Sequence, residues 1–163
     1  MKNLFFFILL LAGLSSFAQT APELYAKAQT AAEKQAWTYV EVYLDDAIAL
    51  DGNQAEYYYL RGKSNMAETT DTAKYVKAIH DFNKAIELKT AHKDIYQNLA
   101  LVKQAFAQEC NIRAERGDTS LFKRAIFYAL GSISDFESAK KIEDNPKYNA
   151  HIADLKKLVS LSN

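Results

Sequence analysis

Asp46-Ala47-Ile48-Ala49-Leu50 is echoed further along the chain by Lys84-Ala85-Ile86-Glu87-Leu88. In each copy the first alanine, Ala47 or Ala85, stands three residues after a large apolar residue, Leu44 or Phe82. Each copy runs into a polar break and then into a new helix-forming stretch rich in aromatic residues. A phrase repeated in this way marks stacked supersecondary units, because one such unit cannot bury its apolar face alone and needs a neighbour to cover it. Stacked units present a surface that holds another molecule, in contrast to a closed globule around a buried active site.

Outward from the repeated phrase, strand signals are almost absent and apolar residues recur at spacings of three and four. Ile95, Leu99, Val102, Phe106 and Cys110 form one stripe, Phe122, Ala125, Ala129, Ile133 and Phe136 a second, and Tyr148, Ile152, Leu155 and Val159 a third. Each stripe is the apolar face of an amphipathic helix. The pattern predicts seven helices, over about 21–34, 36–51, 54–68, 73–90, 93–116, 119–143 and 146–161. Asp51-Gly52-Asn53 and Arg116-Gly117-Asp118 read as turns, and Pro146 falls in the first turn of the last helix, where its missing N–H costs nothing.

Paired in order, these helices resemble tetratricopeptide repeats. Residues 55–92 carry the likeness best: Tyr58 fills the early aromatic position, Gly62 the small one, and Ala78, Phe82 and Ala85 the small–large–alanine trio of the second helix, preceded by Tyr75. Residues 21–54 match through Leu24, Ala28, Trp37, Val40, Leu44 and Ala47; a third unit opens at Lys93 with Tyr96, Leu99 and Ala100 and closes on Ser132, Phe136 and Ala139. The chain departs from the family in its spacing. From small residue to small residue the units run 12, 16 and 32 residues (28 to 40, 62 to 78, 100 to 132), so the second has four extra residues around Ala67–Lys74 and the third has lengthened helices. Arg61 and Asn65 stand where the family usually has apolar residues. The resemblance implies an all-α fold, a short helical solenoid of three helix–turn–helix pairs plus a capping helix, 146–161, with Asn149, Asp154, Lys156 and Lys157 on its outward face.

The N-terminus reads as a secretory signal over residues 1–18: Lys2, then the apolar run Leu4–Leu14, then Ser16-Phe17-Ala18 with small residues where a signal peptidase cleaves. The run is too short to span a bilayer comfortably, and no other stretch approaches that length. Cys110 is the only cysteine, which excludes an internal disulfide and a lipid anchor just after the run. Within a helix its plainest role is a small buried hydrophobe. The expected location is outside the cytoplasm, periplasmic or secreted, with the repeat domain spanning 19–163. Removing 1–18 takes away Lys2 and leaves 19 basic against 20 acidic side chains, a balance without the electrostatic footprint of a nucleic-acid binder.

Signals for catalysis are sparse. There is no His-Glu-x-x-His, no phosphate-cradling glycine loop and no Gly-x-Ser-x-Gly elbow. His151 and Asp154 could meet on one helical face. Glu41 and Asp45 share a face with Asp46 nearby, and this cluster, like Lys74, Lys77 and Lys84 in the next unit, reads as a solvated surface. Thr69 to Ala73 reads as a polar loop in which Asp71-Thr72-Ala73 resembles an O-glycosylation acceptor. No cofactor is implied. The function expected is a non-catalytic adaptor for a protein or peptide; a binder of small molecules or cell-wall glycan, and an enzyme whose site only the fold assembles, are the alternatives. By the family's positions the concave face falls on Tyr25, Gln29 and Ala32 in the first unit, Tyr59, Lys63 and Met66 in the second, and Gln97, Leu101 and Gln104 in the third. Tyr59 is expected to project from this face, so that Tyr59→Ala would weaken binding with little effect on stability.

Overall fold

The computed structural model describes residues 19–67 and 71–161. Residues 1–18, read from the sequence as a secretory signal, lie outside the described residues. Seven helices follow in order: α1 (Ala21–Glu33), α2 (Trp37–Leu50), α3 (Ala55–Ala67), α4 (Thr72–Glu87), α5 (Ile95–Glu115), α6 (Leu121–Ile142) and α7 (Pro146–Leu161). Local sequence sets their ends. At the start of α1 Thr20 and Glu23 form a reciprocal capping box, with the Thr20 N–H donating to Glu23 Oε2 at 2.9 Å. Asp71 caps α4 by accepting the Ala73 N–H at 2.9 Å. The segment expected as a polar loop is thus partly helical, with Thr72 at the first helical position. Lys89, at φ 60°, ends the helix expected to reach residue 90, and Gly117, at φ 124°, occupies the left-handed conformation that the Arg116-Gly117-Asp118 turn requires.

The helices pair as α1/α2, α3/α4 and α5/α6, with α7 packed on α6; α2 meets α3 and α4 meets α5 between pairs, and the first helices touch, α1 with α3 and α3 with α5. Small residues stand at the crossings. Ala28, Ala47, Ala78, Ala85, Ala100 and Ala129 are wholly buried, as close helix approach demands. Gly62 shows the constraint directly: a Cβ there would lie 2.7 Å from the ring of Phe82, itself fully buried. Phe136 fills the corresponding space in the third unit. The expected lengthening of that unit is seen in α5 and α6, of 21 and 22 residues. Their extra turns build a separate cluster from Phe106, Cys110, Ala114, Leu121 and Ala125. Tyr58 is core, as expected, and its hydroxyl donates to the Gly52 carbonyl at 3.2 Å.

The face carrying Glu41 and Asp45 is not simply solvated. Glu41 on α2 accepts hydrogen bonds from Lys74 (2.5 Å) and Lys77 (2.8 Å) on α4. Asp45 accepts from Arg61 Nη1 at 2.6 Å. The same guanidinium grips Asp81 of α4 with two parallel bonds, Nε to Oδ2 at 2.9 Å and Nη2 to Oδ1 at 2.7 Å. Asp81 is almost completely buried, so its carboxylate needs this fork to offset its lost hydration. Arg61, out of place in the apolar pattern of the repeat, therefore ties α3 to both α2 and α4. Lys84 pairs within its own helix, with Glu87.

Candidate functional site

The inner face of the stack is organised around Tyr59. Its ring is buried, stacks on the imidazole of His92 at 3.6 Å between centroids and 11° between planes, and lies 5.5 Å below the Lys63 ammonium. Its hydroxyl lies 2.9 and 2.7 Å from the two carboxylate oxygens of Asp94 and donates its proton to them. Burial, then the Asp94 bond and charge, push that hydroxyl well above the ordinary tyrosine range. Asp94 precedes α5 but makes no side-chain cap; its carboxylate is taken instead by Tyr59 and by Asn98 Nδ2 at 3.1 Å. His92 Nε2 is hydrogen-bonded to Glu56 in the first turn of α3. Glu56 in turn adds to the burial that raises the Tyr25 hydroxyl, and the Tyr25 ring on α1 packs 5.0 Å from that of Tyr57. At the other end, Tyr148 of α7 donates to Gln97 Oε1 of α5 at 2.9 Å. A continuous row of aromatic and polar groups thus crosses the first helices α1, α3 and α5 and reaches α7.

Against this geometry the groove positions expected from sequence fall into three classes. Gln29 is exposed. Tyr25, Ala32, Lys63, Met66, Gln97 and Leu101 are half-buried. Met66 packs against the Tyr59–Phe82 cluster, and Leu101 packs against a cluster that joins α5, α6 and α7. Tyr59 and Gln104 are buried, and the expectation that they project from the face is corrected. Tyr59 is drawn down by its bond to Asp94 and its stack on His92, and Gln104 is enclosed by the long third unit, with an Oε1 that has no hydrogen-bond partner.

Three members of the row, Glu56, His92 and Asp94, were not among those positions. Glu56 could have been found, since it holds the second position of the repeat, which is also concave in the family. Asp94 holds the same second position in the unit that opens at Lys93 and was open to the same reading, whereas His92 leaves no periodic signal because it lies in the segment joining α4 to α5. As chemistry, the row offers fixed donors and acceptors. Its hydroxyls are held protonated, and among the described residues no group of three or more His, Cys, Asp or Glu could hold a metal ion. His151, read as a possible partner of Asp154, stacks on Phe136 at 4.9 Å and 10°. Cys110 is buried, and burial pushes its thiol up, away from the reactive thiolate form.

No protein-family model and no curated protein matches the sequence. Among solved structures, the chain is similar to the tetratricopeptide-repeat domain of Arabidopsis OM64, with a TM-score of 0.57 over 84% of this chain and 94% of that one, at 19% identity. The fold is a tetratricopeptide-type solenoid. In such a solenoid the Tyr59 row lies along the first helices of successive pairs, and the Arg61–Asp81 pair lies on the other side of α3, since residues 59 and 63 point away from 61 and 65 around the helix. Among the described residues no helix is long and apolar enough to cross a membrane.

Proposed function

We propose that this protein is a non-catalytic adaptor, exported to the periplasm or beyond, that holds a peptide segment of another protein along the inner face of the solenoid. The observation that supports this is the row itself. Tyr59, anchored by Asp94, His92 and Lys63, stands in the middle of a line of half-buried groups in which Glu56 holds His92, Tyr25 packs on Tyr57 and Gln97 is held by Tyr148. Pre-set side chains lower the ordering cost of capture. Tyr25 and Met66 suit apolar side chains, Gln29 and Gln97 suit backbone groups, and Lys63 suits a carboxylate. With one lysine against Glu56 and Asp94, the row favours modest, weakly salt-dependent binding over a clamp of several basic residues. Export is proposed from Lys2, the Leu4–Leu14 run and Ala18.

The test is site-specific photo-crosslinking in the native cell, with the probe at position 29 or 63 on the inner face and at position 130 on the exposed outer face of α6. The inner probes should capture one partner that the outer probe does not. Lys63→Ala should weaken that capture while the melting temperature stays near wild type. Capture from position 130 alone would overturn the assignment of the groove.

A further inference from the structure

The stack has two ends, and they are built differently. At one end α7 covers the third unit with Tyr148, Ile152 and Leu155 and turns Asn149, Asp154, Lys156 and Lys157 to solvent. At the other end nothing among the described residues covers α1 and α2 on the side away from the second unit. Tyr25 of α1, and Glu41 and Asp45 of α2, point toward α3 and α4. At about 100° per residue, Lys27, Thr30 and Lys34 leave α1, and Tyr39, Tyr43 and Leu50 leave α2, in the opposite direction. A groove of about 550 Å³ runs between the two helices there, floored by Ala26, Ala31 and Ala36 and walled by the lysines and tyrosines. Tyr39 is 63% exposed and Leu50 60%, although a solenoid ordinarily buries such side chains on the next unit.

The charges on this open end are sorted. α1 and α2 run antiparallel, so the end of α1 and the start of α2 lie together. That half carries Lys27 and Lys34 and no acidic lining group. The other half, at the start of α1 and the end of α2, carries Asp46 beside Leu24, Ala49 and Leu50. Glu23 stands on the same side of α1, one turn before Lys27. Lys27, Lys34 and Asp46 are exposed and form no ion pair among the described residues. Between the two halves lies the aromatic surface of Tyr39 and Tyr43, with ring centroids 6.5 Å apart.

We infer that this open end docks a second copy of the chain about a two-fold axis. A polyanion would suit the basic half and be repelled by the acidic one, and a polycation would meet the reverse. A second copy turned by half a revolution lays its acidic half on the basic half of the first, and the tyrosines of both copies enter the alanine-floored grooves. The far end of the stack offers no such match, because α7 presents polar groups there. Copies therefore do not stack head to tail, and assembly stops at two. Each helix is about 20 Å long and about 10 Å wide, so the contact buries on the order of 1,000 Å² in total, the low end of specific interfaces. The dimer is accordingly weak, with a dissociation constant of about 10–100 μM. The peptide groove on the inner face takes no part in it.

Sedimentation equilibrium of the purified protein from about 1 μM to about 500 μM tests this. The mass should rise from monomer to dimer and go no further. Tyr39→Asp, at an exposed position in the first turn of α2, should weaken the dimer at least about tenfold while melting as the wild type does. Charge reversal separates matched halves from general stickiness. Lys27→Glu with Lys34→Glu makes the face wholly acidic, and Asp46→Lys makes it largely basic. Each of these variants alone should stay monomeric over the same range, and an equimolar mixture should restore the dimer. A photo-crosslinking probe at position 39 should give a product of twice the chain mass. A monomer at every concentration would overturn the proposal. So would a dimer that survives Tyr39→Asp or either charge reversal, a mixture that stays monomeric, or a probe at position 39 that captures only a different protein.

Discussion

At the scale of single residues, Gly62 carries the closest contact between the helices of the best-matched pair. A methyl group there would sit 2.7 Å from the Phe82 ring, and the ring, wholly buried, has nowhere to retreat. Gly62→Ala should cost about 1–3 kcal/mol by overpacking, and Phe82→Ala about 3–5 kcal/mol by leaving a cavity, each read from the denaturant midpoint. Since the two side chains compete for one space, the double variant should lose less than the sum of the singles. Strict additivity would mean the contact has been misplaced. Tyr59 shows a different kind of dependence. Because it is buried under His92 and bonded to Asp94, Tyr59→Ala should lower stability by about 3–5 kcal/mol, contrary to the neutral effect expected of a projecting groove residue. Tyr59→Phe keeps the ring and should cost only about 0.5–1.5 kcal/mol. A wild-type melting curve for Tyr59→Ala would restore the exposed placement.

At the scale of elements, the ion pairs between α2 and α4 make the second unit sensitive to acid. Burial raises the Glu41 carboxyl, but the hydrogen bonds and charges of Lys74 and Lys77 outweigh it, and the group titrates below the ordinary glutamate value. Its contribution to stability is therefore whole above the unfolded-state value of about 4.3 and is lost as the pH falls through the lower folded value. Glu41→Gln removes that dependence. Plots of melting temperature against pH for wild type and variant should run apart near neutrality and converge below about pH 4. Parallel curves would show that the α2–α4 ion pairs are not coupled to folding. Helix identity and order were legible at this scale because stripes such as Ile95–Leu99–Val102–Phe106 keep a single period over several turns. The pairing of Arg61 with Asp81, twenty residues apart, was not: it lies in the geometry of two helices, and local pattern alone marked Arg61 only as a misfit.

At the scale of the whole molecule, each pair covers its neighbour and α7 closes the end of the stack. Tyr148, Ile152 and Leu155 of α7 are buried against Phe136, Ala139 and the rest of the third-unit cluster. A chain ending before Pro146 leaves that cluster open to water. It should melt at a markedly lower temperature and associate at high concentration, as solenoids without a polar end cap do. Unchanged melting and an unchanged sedimentation profile would show that α7 is dispensable. The proposal of export is checked at the same scale: N-terminal sequencing of protein recovered outside the cytoplasm should give a start near Gln19, or a blocked terminus if Gln19 has cyclised, and a retained Met1 would refute it.

The sequence by itself determined the helices, their pairing and the small residues at their crossings, because these follow from periodicity and from steric limits that act over a few turns. Ala28, Gly62, Ala78, Phe82 and Ala85 were each placed at a packed position by the repeat pattern the sequence resembles, and each is buried. Only the tertiary structure decided which inner-face groups are reachable. Tyr59 was placed on the right face of α3, yet its exposure depends on His92 and Asp94 arriving from the segment before α5, and no local rule encodes their arrival. The same holds for Glu41, a surface carboxylate by pattern and an inter-helix partner of Lys74 and Lys77 in three dimensions. Periodicity fixes the direction in which a side chain leaves its helix, whereas burial and partnership depend on what the rest of the chain brings to meet it.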